Sequence, residues 1–533
     1  MNNIIFIFTS LSFFIWVIRN TFYWVYLWQL KEYRLDRVLI HFKETYQGKR
    51  ILLSPFLWIK ILLIIGYGYI VFNNEYLLFY QIFISLIFYY EAFSVLQEII
   101  FHRLRRPSST IKGVIMCSLT IFFISILFTI PFVDKYLWLL LLECLIPFII
   151  YIIVFAFSFP TEIYHDYKIE KARKKLADHK KILVIAITGS YGKSSTKEFV
   201  SQILEKKFRL LKTQGSNNTP IGIANTILDG LKNNTEILVT EMGAYKKGEI
   251  LELCEIVNPE IGIITGINDQ HLSLFGSLSN TMQAKYELID SLPKNGLALF
   301  NGNNNNAKKL YEKTKINKVL YEVKFSVNDV KRNIFAENIV TKKNSVSFDV
   351  ILKRKKIHFE APVIGAHNIE NILPGIFIGN RLGISDFDLV KSVSSLQSLP
   401  KTMTKQELEN GTIVIDDTFN TSQQAVRAAL SYLKVFKQKR ILVFQPMIEL
   451  GVSAGDEHYR VAGDMVKICD YIFVTNENFL NQMREGASLI NSKCEIRKAS
   501  IVEIAKFIQN KVHKGDVVLF EGKEAGMVLN KIL

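Results

Sequence analysis

Long apolar runs fill the first 160 residues of the chain, and shorter apolar runs alternate with amphipathic ones after them. Five of the early runs approach or exceed the ~20 residues that a helix needs to cross the hydrocarbon of a bilayer. The first is followed too soon by others to be a cleaved signal peptide. The pattern therefore predicts a membrane region of about five transmembrane helices, at residues 3–28, 51–73, 76–101, 113–133 and 136–159.

Ionisable residues interrupt these apolar runs, among them Arg19, Lys60, Glu91 and Glu143. Charged side chains in hydrocarbon are costly and are functional candidates by default. Snorkelling at a span end, or a polar contact between helices, explains them equally well. The residues alone leave these alternatives open.

Lysine and arginine cluster in the connections between spans one and two and between spans three and four, and again after span five. The two remaining connections are short and nearly neutral. By the positive-inside rule, we expect a multi-pass protein of the cell membrane with its N-terminus outside and residues 160–533 in the cytoplasm.

The 533 residues carry a formal net charge of +16, which alone does not distinguish nucleic acid, anionic lipid and phosphorylated partners. Because much of the basic excess flanks apolar segments, membrane topology explains it, and we expect membrane lipid and no nucleic acid as partners. Five scattered cysteines form no CxxC pair and imply neither a disulfide framework nor a zinc site.

After a basic juxtamembrane helix at 161–181, strand-like and helix-like segments alternate, which is typical of parallel α/β units. We expect a P-loop central domain with a parallel sheet at 182–402 and a Rossmann-like α/β domain at 403–533. A β-rich insertion is predicted at 301–360. Strands are predicted at 182–187, 236–241, 261–265, 297–300, 413–416, 441–445, 471–474 and 517–520. Helices are predicted at 194–206, 221–231, 249–257, 281–292, 368–382, 422–436, 457–468 and 500–511.

Residues 187–196 read Ile-Thr-Gly-Ser-Tyr-Gly-Lys-Ser-Ser-Thr, between a predicted strand and a predicted helix. Ile187 stands where the strict Walker A pattern has its first glycine. The context is nonetheless that of a phosphate-binding loop, in which Lys193 neutralises phosphate and the Ser194 hydroxyl is offered to Mg²⁺. We therefore predict a nucleotide site here.

Three further residues follow this loop along the chain. Glu241 ends a predicted strand, where a carboxylate beside a P-loop is well placed to hold Mg²⁺. His271 follows another strand and is either a structural histidine or a ligand for a second metal ion. Lys285 lies on a predicted helix, and its pattern by itself indicates a surface lysine.

Together these motifs resemble the Mur ligase family, and most closely its MurF branch. The resemblance runs from about Ile182 to the C-terminus and rests on the order and spacing of several motifs. They are residues 188–196, 217–222, 241–244, 271–272 with 275–277, 284–285, 365–371 and 416–420, with 449–451 and His458 in the last domain.

The resemblance implies that ATP phosphorylates a substrate carboxylate and that an amine then displaces phosphate to form an amide. It implies two Mg²⁺ ions, the first held by Ser194 and Glu241 and the second by His271, and a carbamoylated Lys285 that helps to position metal. The implied catalytic residues are Lys193, Glu241, His271 and Lys285. The implied ATP-binding residues are Gly189, Ser190, Tyr191, Gly192, Lys193, Ser194, Ser195, Asn368 at the adenine side and Asp417 near the ribose and domain hinge. The implied substrate-binding residues are Asn217, Asn218 and Thr219.

The chain departs from the family pattern in three places. Residues 265–268 read Thr-Gly-Ile-Asn instead of Thr-Asn-Ile-Gly. Thr402 occupies the place of an arginine that touches the γ-phosphate, with Lys401 beside it as a candidate substitute. The membrane region stands in place of the usual uridine-nucleotide-binding domain.

We therefore expect a membrane-anchored ATP-dependent amide (peptide) ligase. It would join an amino acid or dipeptide to a UDP-linked or lipid-linked precursor of the cell wall or of a surface polymer. Two alternatives remain open at this point. One is a polymerising ligase like the poly-γ-glutamate synthases. The other, motivated by Thr402, is a catalytically weakened Mur-like scaffold.

Overall fold

The structure is a computed structural model that describes residues 2–72, 76–101, 103–132, 134–179, 181–215, 217–323, 334–448, 450–490 and 494–533. The chain divides into two compact units, Met1–His165 and Asp166–Leu533. Part of the predicted β-rich insertion, residues 324–333, lies outside the described residues, as does Glu449 of the motif at 449–451.

The first unit is helical. Five of its helices are long and apolar enough to cross a membrane, and they correspond to the five predicted spans. The short helix α2 connects the first of these to the second, Gln47–Ile70, which contains most of α3 and of α4. The helices are α1 Asn2–Leu30, α2 Leu35–Glu44, α3 Tyr46–Leu52, α4 Pro55–Phe72, α5 Leu77–Ile100, α6 Ile111–Thr129 and α7 Lys135–Ala177.

Helix α7 continues well beyond the fifth predicted span. The basic segment predicted as a separate juxtamembrane helix forms its C-terminal part, and Pro147 and Pro160 lie inside it. Proline fixes a backbone φ that a helix tolerates and removes one hydrogen-bond donor. With no glycine near residue 160 to end the helix, the apolar and basic segments form one element.

The second unit begins with a nine-stranded sheet in the order β2-β3-β1-β4-β5-β6-β7-β8-β9. Pairing is parallel from β2 to β7 and antiparallel across β7, β8 and β9. The strands are β1 Leu183–Thr188, β2 Leu210–Lys212, β3 Ile237–Glu241, β4 Ile261–Ile264, β5 Leu297–Asn301, β6 Asn317–Val323, β7 Ile334–Thr341, β8 Val346–Leu352 and β9 Lys355–Ala361. The helices are α8 Lys193–Leu204, α9 Pro220–Gly230, α10 Glu249–Val257, α11 Leu272–Phe275, α12 Leu278–Asp290, α13 Asn305–Lys313, α14 Asn368–Arg381 and α15 Asp386–Val393.

A six-stranded sheet follows in the order β10-β11-β15-β12-β13-β14, parallel except for β10. Its strands are β10 Thr404–Glu407, β11 Ile413–Asp417, β12 Arg440–Phe444, β13 Tyr471–Val474, β14 Ile496–Lys498 and β15 Val517–Glu521. Its helices are α16 Gln423–Leu433, α17 Ala454–Val466, α18 Leu480–Ser488, α19 Ile501–Lys511 and α20 Lys523–Ile532, with a 3-10 turn at Gly451–Ser453.

The order of strands in the first sheet determines where ligands can bind. The chain leaves β1 on one side, through α8 to β2 and β3, and continues on the other side with β4. Open α/β sheets bind ligands outside the carboxyl ends of their strands at such a switch point. Residues 189–192, Glu241 and Thr265 all lie there. The predicted fold class is confirmed in that apolar helices are followed by two α/β domains, of which the first carries the P-loop.

Candidate functional site

The loop between β1 and α8 has a backbone that only glycine adopts easily at two positions. Gly189 has φ +157° and Gly192 has φ +77°. A Cβ on Gly189 would lie 2.1 Å from Thr265 Oγ1, and one on Gly192 would lie 2.8 Å from Asn371 Oδ1. Both glycines therefore let the loop pack closely while the first amides of α8 stay free to meet an anion.

Contacts from the neighbouring β4 loop hold this nucleotide loop in place. The Ser190 amide donates to Gly266 O at 2.6 Å, and the Ser190 hydroxyl accepts from the Asn268 amide at 3.2 Å. The Tyr191 hydroxyl accepts from Asn304 at 3.2 Å, and burial raises the pKa of Tyr191 to about 12. Gly266 and Asn268, where the chain departs from the family pattern, thus contact the loop directly.

Lys193 begins α8 and folds back over the loop. Its Nζ donates to Gly189 O at 2.9 Å and to Ser190 O at 3.3 Å. Burial lowers the pKa of Lys193, and the Glu241 carboxylate partly opposes that shift. Ser194 and Ser195 are half-buried in the same first turn. An ammonium held only by neutral carbonyls is poised to pair with phosphate.

Glu241 ends β3 directly opposite Ile187 of β1, and it is 1 % exposed. Its Oε1 accepts from Asn218 Nδ2 at 3.0 Å, and its amide donates to Thr213 Oγ1 at 3.1 Å. Among the described residues no donor makes a hydrogen bond to its Oε2. The Lys197 ammonium lies 3.6 Å from this oxygen, too far for a hydrogen bond, so a buried carboxylate oxygen is left that can bind a further cation.

Lys285 is not a surface lysine: the prediction from its local pattern is wrong. It is 3 % exposed on α12, in a buried stripe with Thr281, Ala284 and Leu288. Helical spacing places these residues on one face, so the full period of α12 would have revealed its burial. Burial lowers the pKa of Lys285 to about 7, and the positive charge of Lys193 adds to the shift while nearby glutamates oppose it.

His271 has a left-handed backbone, φ +61°, just before the short helix α11. Its ring packs edge-on against Tyr245, with centroids 4.9 Å apart, in the loop that follows Glu241. Within the described part of the chain, no group of three or more His, Cys, Asp or Glu side chains forms a metal cluster. An ion that takes most of its ligands from phosphate and water, as Mg²⁺ does, needs no such cluster.

Asn368, the predicted residue at the adenine side, is buried at the start of α14 and connects to the helix of the nucleotide loop. Its Nδ2 donates to Ile364 O at 2.9 Å, and its Oδ1 accepts from Asn371 at 3.2 Å. Asn371 Oδ1 in turn accepts from Thr196 of α8 at 3.1 Å. This chain of hydrogen bonds fixes α14 against α8.

Comparison with known proteins gives this site its family. Residues 187–379 match the Mur ligase middle domain, and residues 403–524 match the glutamate ligase domain of Mur ligases. The chain belongs to the Mur ligase family. Mur ligases are ATP-dependent amide ligases, and the chain is an enzyme of that class.

Two curated relatives and one solved structure bear the same kind of name. The UDP-N-acetylmuramoyl-tripeptide–D-alanyl-D-alanine ligase of Bacillus subtilis is 28% identical over 66% of this chain and 75% of its own length. Its Escherichia coli counterpart is 30% identical over 52% of this chain, which spans less than two thirds (61%) of that relative. MurF of Thermotoga maritima, solved in complex with ADP, matches with a TM-score of 0.59 and 27% identity over 69% of this chain and 83% of its own.

The Mur ligase middle domain places the three predicted substrate residues differently. The side chain of Asn218 donates to the Glu241 carboxylate, and the backbone oxygen of Asn218 accepts from the Gly243 amide at 3.0 Å. Thr219 caps α9 through the Gly222 amide, and Asn217 is exposed. Only Asn218 therefore makes a described contact with the metal candidate.

Lys197 is a member of the site that sequence reasoning missed. It is 1 % exposed, donates to Gly215 O at 2.6 Å and lies 3.6 Å from Glu241 Oε2. Burial lowers its pKa. Its position one helical turn after Lys193 was the available signal, because residues four apart share a face of a helix.

Asp417, at the end of β11, pairs in register with Glu521 at the end of β15, a second residue that was missed. Asp417 Oδ1 accepts from the Met403 amide at 3.1 Å. Burial raises the pKa of both carboxyls, because two adjacent buried carboxylates cannot both ionise cheaply. A proton shared by the two carboxyls would relieve this repulsion.

Asp417 and the nucleotide loop belong to different sheets of the Mur ligase fold, and the junction between them is closed by direct contacts. Asn268, which contacts Ser190, donates a hydrogen bond to Gln424 of α16. Thr402 donates its hydroxyl to Leu399 O, and the Lys401 carbonyl accepts from the Phe419 amide at 2.9 Å. The backbone of residues 399–402 thus belongs to this junction.

Proposed function

We propose that the protein is a membrane-anchored, ATP-dependent peptide ligase that acts on a precursor of the cell wall. The family supports ATP-dependent peptide-bond formation in peptidoglycan synthesis. The single observation that carries the site is the buried Glu241 oxygen without a hydrogen-bond partner, next to the nucleotide loop. The five candidate spans support the anchoring.

In this proposal the nucleotide loop binds the phosphates of ATP. Lys193 would turn from the loop carbonyls to phosphate, and the amides of residues 191–195 would surround it. Ser194 and Glu241 would hold one Mg²⁺, and His271 would help to hold a second. When bound, Mg²⁺ neutralises the charge that builds on the transferred phosphoryl group. Asn368 and Asp417 would contact the adenine and ribose sides.

The reaction would proceed in two balanced steps. An oxygen of the substrate carboxylate attacks the γ-phosphorus, ADP leaves, and an acyl phosphate forms. The amine nitrogen of an amino acid or dipeptide then attacks the acyl carbon, phosphate leaves, and the nitrogen loses a proton. Asn217, Asn218 and Thr219 would face the carboxylate-bearing substrate.

Lys285 would act as its carbamate. With a pKa of about 7, much of the amine is neutral at physiological pH and can attack CO₂, losing one proton as the carbamate forms. The carbamate places a negative charge, instead of a second ammonium, beside the Lys193 ammonium. Incubation with ¹³C-labelled bicarbonate should give one carbamate signal in a ¹³C spectrum, absent from Lys285→Met.

The precursor is proposed to be lipid-linked and presented at the cytoplasmic leaflet, because membrane helices precede the ligase domains. The test uses detergent-solubilised full-length protein with ATP and D-alanyl-D-alanine or single amino acids. UDP-linked and lipid-linked precursors are supplied in separate reactions, and products are read by mass spectrometry. Turnover of the lipid-linked precursor is expected. Exclusive use of the soluble nucleotide precursor would refute the lipid-linked version.

Matched variants distinguish the remaining possibilities. Lys193→Ala should abolish product, whereas Lys206→Ala, at an exposed lysine just beyond the same helix, should not. A ladder of successive additions would favour a polymerising ligase. A cellular phenotype that survives Lys193→Ala but not deletion of the gene would favour a scaffold.

A further inference from the structure

Four ionisable side chains and a tryptophan, from four helices, meet inside the membrane unit. Lys60 of α4 lies 2.5 Å from Glu91 Oε1 of α5 and 2.6 and 2.7 Å from the two oxygens of Glu143 of α7. Trp16 of α1 donates its indole N–H to Glu143 at 2.7 Å. Arg19 flanks this group from α1. We call Lys60, Glu91 and Glu143 the carboxylate–lysine cluster.

The cluster is deeply buried. Lys60 is 3 % and Glu91 is 4 % exposed, and the aromatic rings of Trp16 and Phe88 lie within 5.5 Å of the Lys60 ammonium. Three of the residues flagged from the sequence thus contact one another. Snorkelling does not explain them, since their polar atoms point at each other and not towards a span end.

The charges of the cluster do not balance. One ammonium faces two carboxyl groups, so full ionisation would leave one net negative charge in an apolar surrounding. Arg19 does not compensate, because it is engaged in a forked pair with Glu98 of α5, at 2.7 and 3.1 Å. Cys144 of α7 is a further titratable group that interacts with the cluster.

The two carboxyl groups are also unequally satisfied. Glu143 accepts from Lys60 at both oxygens and from Trp16. Glu91 accepts from Lys60 at Oε1 only, and within the described residues its buried Oε2 has no hydrogen-bond partner. A proton on that oxygen would cancel the net charge at the one polar atom that has nothing else to neutralise it.

We propose that the carboxylate–lysine cluster is an intramembrane proton-binding site, with the proton on Glu91 Oε2. Glu143 already receives three hydrogen bonds from two donors, so Glu91 Oε2 is the oxygen left to take the proton. The proton comes from water and returns to it, and no other reactant takes part. This site lies outside the ligase domains and does not depend on the proposed ligase function.

Infrared spectroscopy of the full-length protein in lipid nanodiscs tests the proposal, because a protonated carboxyl absorbs apart from a carboxylate. Variant-minus-wild-type spectra at neutral pH cancel all other protonated carboxyls. Glu91→Gln and Glu143→Gln should each lose one protonated carboxyl, since either change lets Lys60 pair with the single acid that remains. Lys60→Met should gain one, because both acids must then be neutral. The control Glu162→Gln, at an exposed acid further along α7, should change nothing.

Two results would overturn the proposal. One is an unchanged protonated-carboxyl band in Glu91→Gln protein that still elutes as a single species. The other is a band that appears only when Na⁺ is replaced by choline, which would make the bound species a metal cation. The opposite signs expected for Lys60→Met and Glu91→Gln keep the test decisive, because misfolding cannot produce both.

Discussion

The buried pair of Asp417 and Glu521 makes the stability of the C-terminal domain depend on pH in a direction that one substitution should remove. We expect the two carboxyls of the folded protein to keep one proton, because burial raises the pKa of each. In the unfolded chain both groups return to ordinary values near 4 and release that proton above about pH 5.5. The folded state therefore binds one proton more than the unfolded state.

The linkage between proton binding and folding gives the sign and the size of this pH dependence. A carboxyl pKa that is raised on folding contributes stability that is complete below the unfolded pKa and is lost as pH rises towards the folded one. One extra bound proton corresponds to about 1.4 kcal/mol per pH unit, or about 2 kcal/mol between about pH 5.5 and 7. In Glu521→Gln the amide can donate to an ionised Asp417, so this slope should disappear.

The assay needs a reporter of unfolding in the C-terminal domain. The five tryptophans all lie at or before residue 138, so their fluorescence reports the membrane unit. Cys469 is 4 % exposed in the core of the C-terminal domain and becomes reactive when that domain unfolds. Urea midpoints at several pH values, read from thiol labelling of Cys469 by mass spectrometry, give the slope for wild type and variant.

The difference between the two slopes is the decisive quantity, because other titrating groups affect both proteins alike. Glu524→Gln serves as the control: Glu524 is half-buried, begins α20 and accepts from Thr475 and Asn476. Parallel slopes for wild type and Glu521→Gln would show that the pair holds no extra proton and would refute the reasoning.

Three further predictions concern the loop, the metal site and the topology. Gly192→Ala should weaken ADP binding measured by calorimetry at least tenfold. Gly248→Ala should leave ADP binding unchanged and cost only about 1 kcal/mol of backbone strain, because Gly248 has φ +89° and open space around it. Equal effects of the two substitutions on ADP binding would contradict a close-packed loop. Lys285→Met should lower the rate of product formation at least ~100-fold while ADP affinity stays within about threefold, and a parallel loss of affinity would place Lys285 among the phosphate ligands instead. In a cysteine-free background, an impermeant maleimide should label Asn3→Cys on intact cells and Lys49→Cys only after permeabilisation; the reverse would invert the predicted orientation.

Local patterns carried most of the fold. The helix predicted at 249–257 begins and ends where α10 does, and the eight predicted strands of the second unit each coincide with an observed one within one residue at either end. These elements combine strong periodicity with clear boundaries. Helices α15 and α20 were missed, although α10 is as short as they are at nine residues.

Some residues of the site could be predicted from local sequence, and others only from contacts between residues far apart in the chain. The nucleotide loop and Glu241 could be predicted because each follows its own strand, and the carboxyl ends of neighbouring parallel strands meet at one edge. Glu521 could not, because its partner Asp417 is 104 residues earlier and the two meet only through the strand order β11-β15. The carboxylate–lysine cluster is similar: each residue was conspicuous alone, but its contacts follow from how four helices pack.

Glu241, Glu91 and Glu521 are deeply buried acids, and the charges around each determine whether a metal ion or a proton would stabilise it. Glu241 leaves an oxygen unpartnered beside Lys197 and a loop built for phosphate, so positive charge is already present and the missing component is one that comes with ATP. Glu91 and Glu521 each lie near a second carboxyl group. Two ionised carboxylates would repel each other there, and a proton on one of them relieves that repulsion. Mg²⁺ should therefore alter the reactivity or spectrum of Glu241 alone, and pH that of the other two. The same physical rule, that a buried oxygen needs a partner, thus separates a ligand site from two proton sites in one chain.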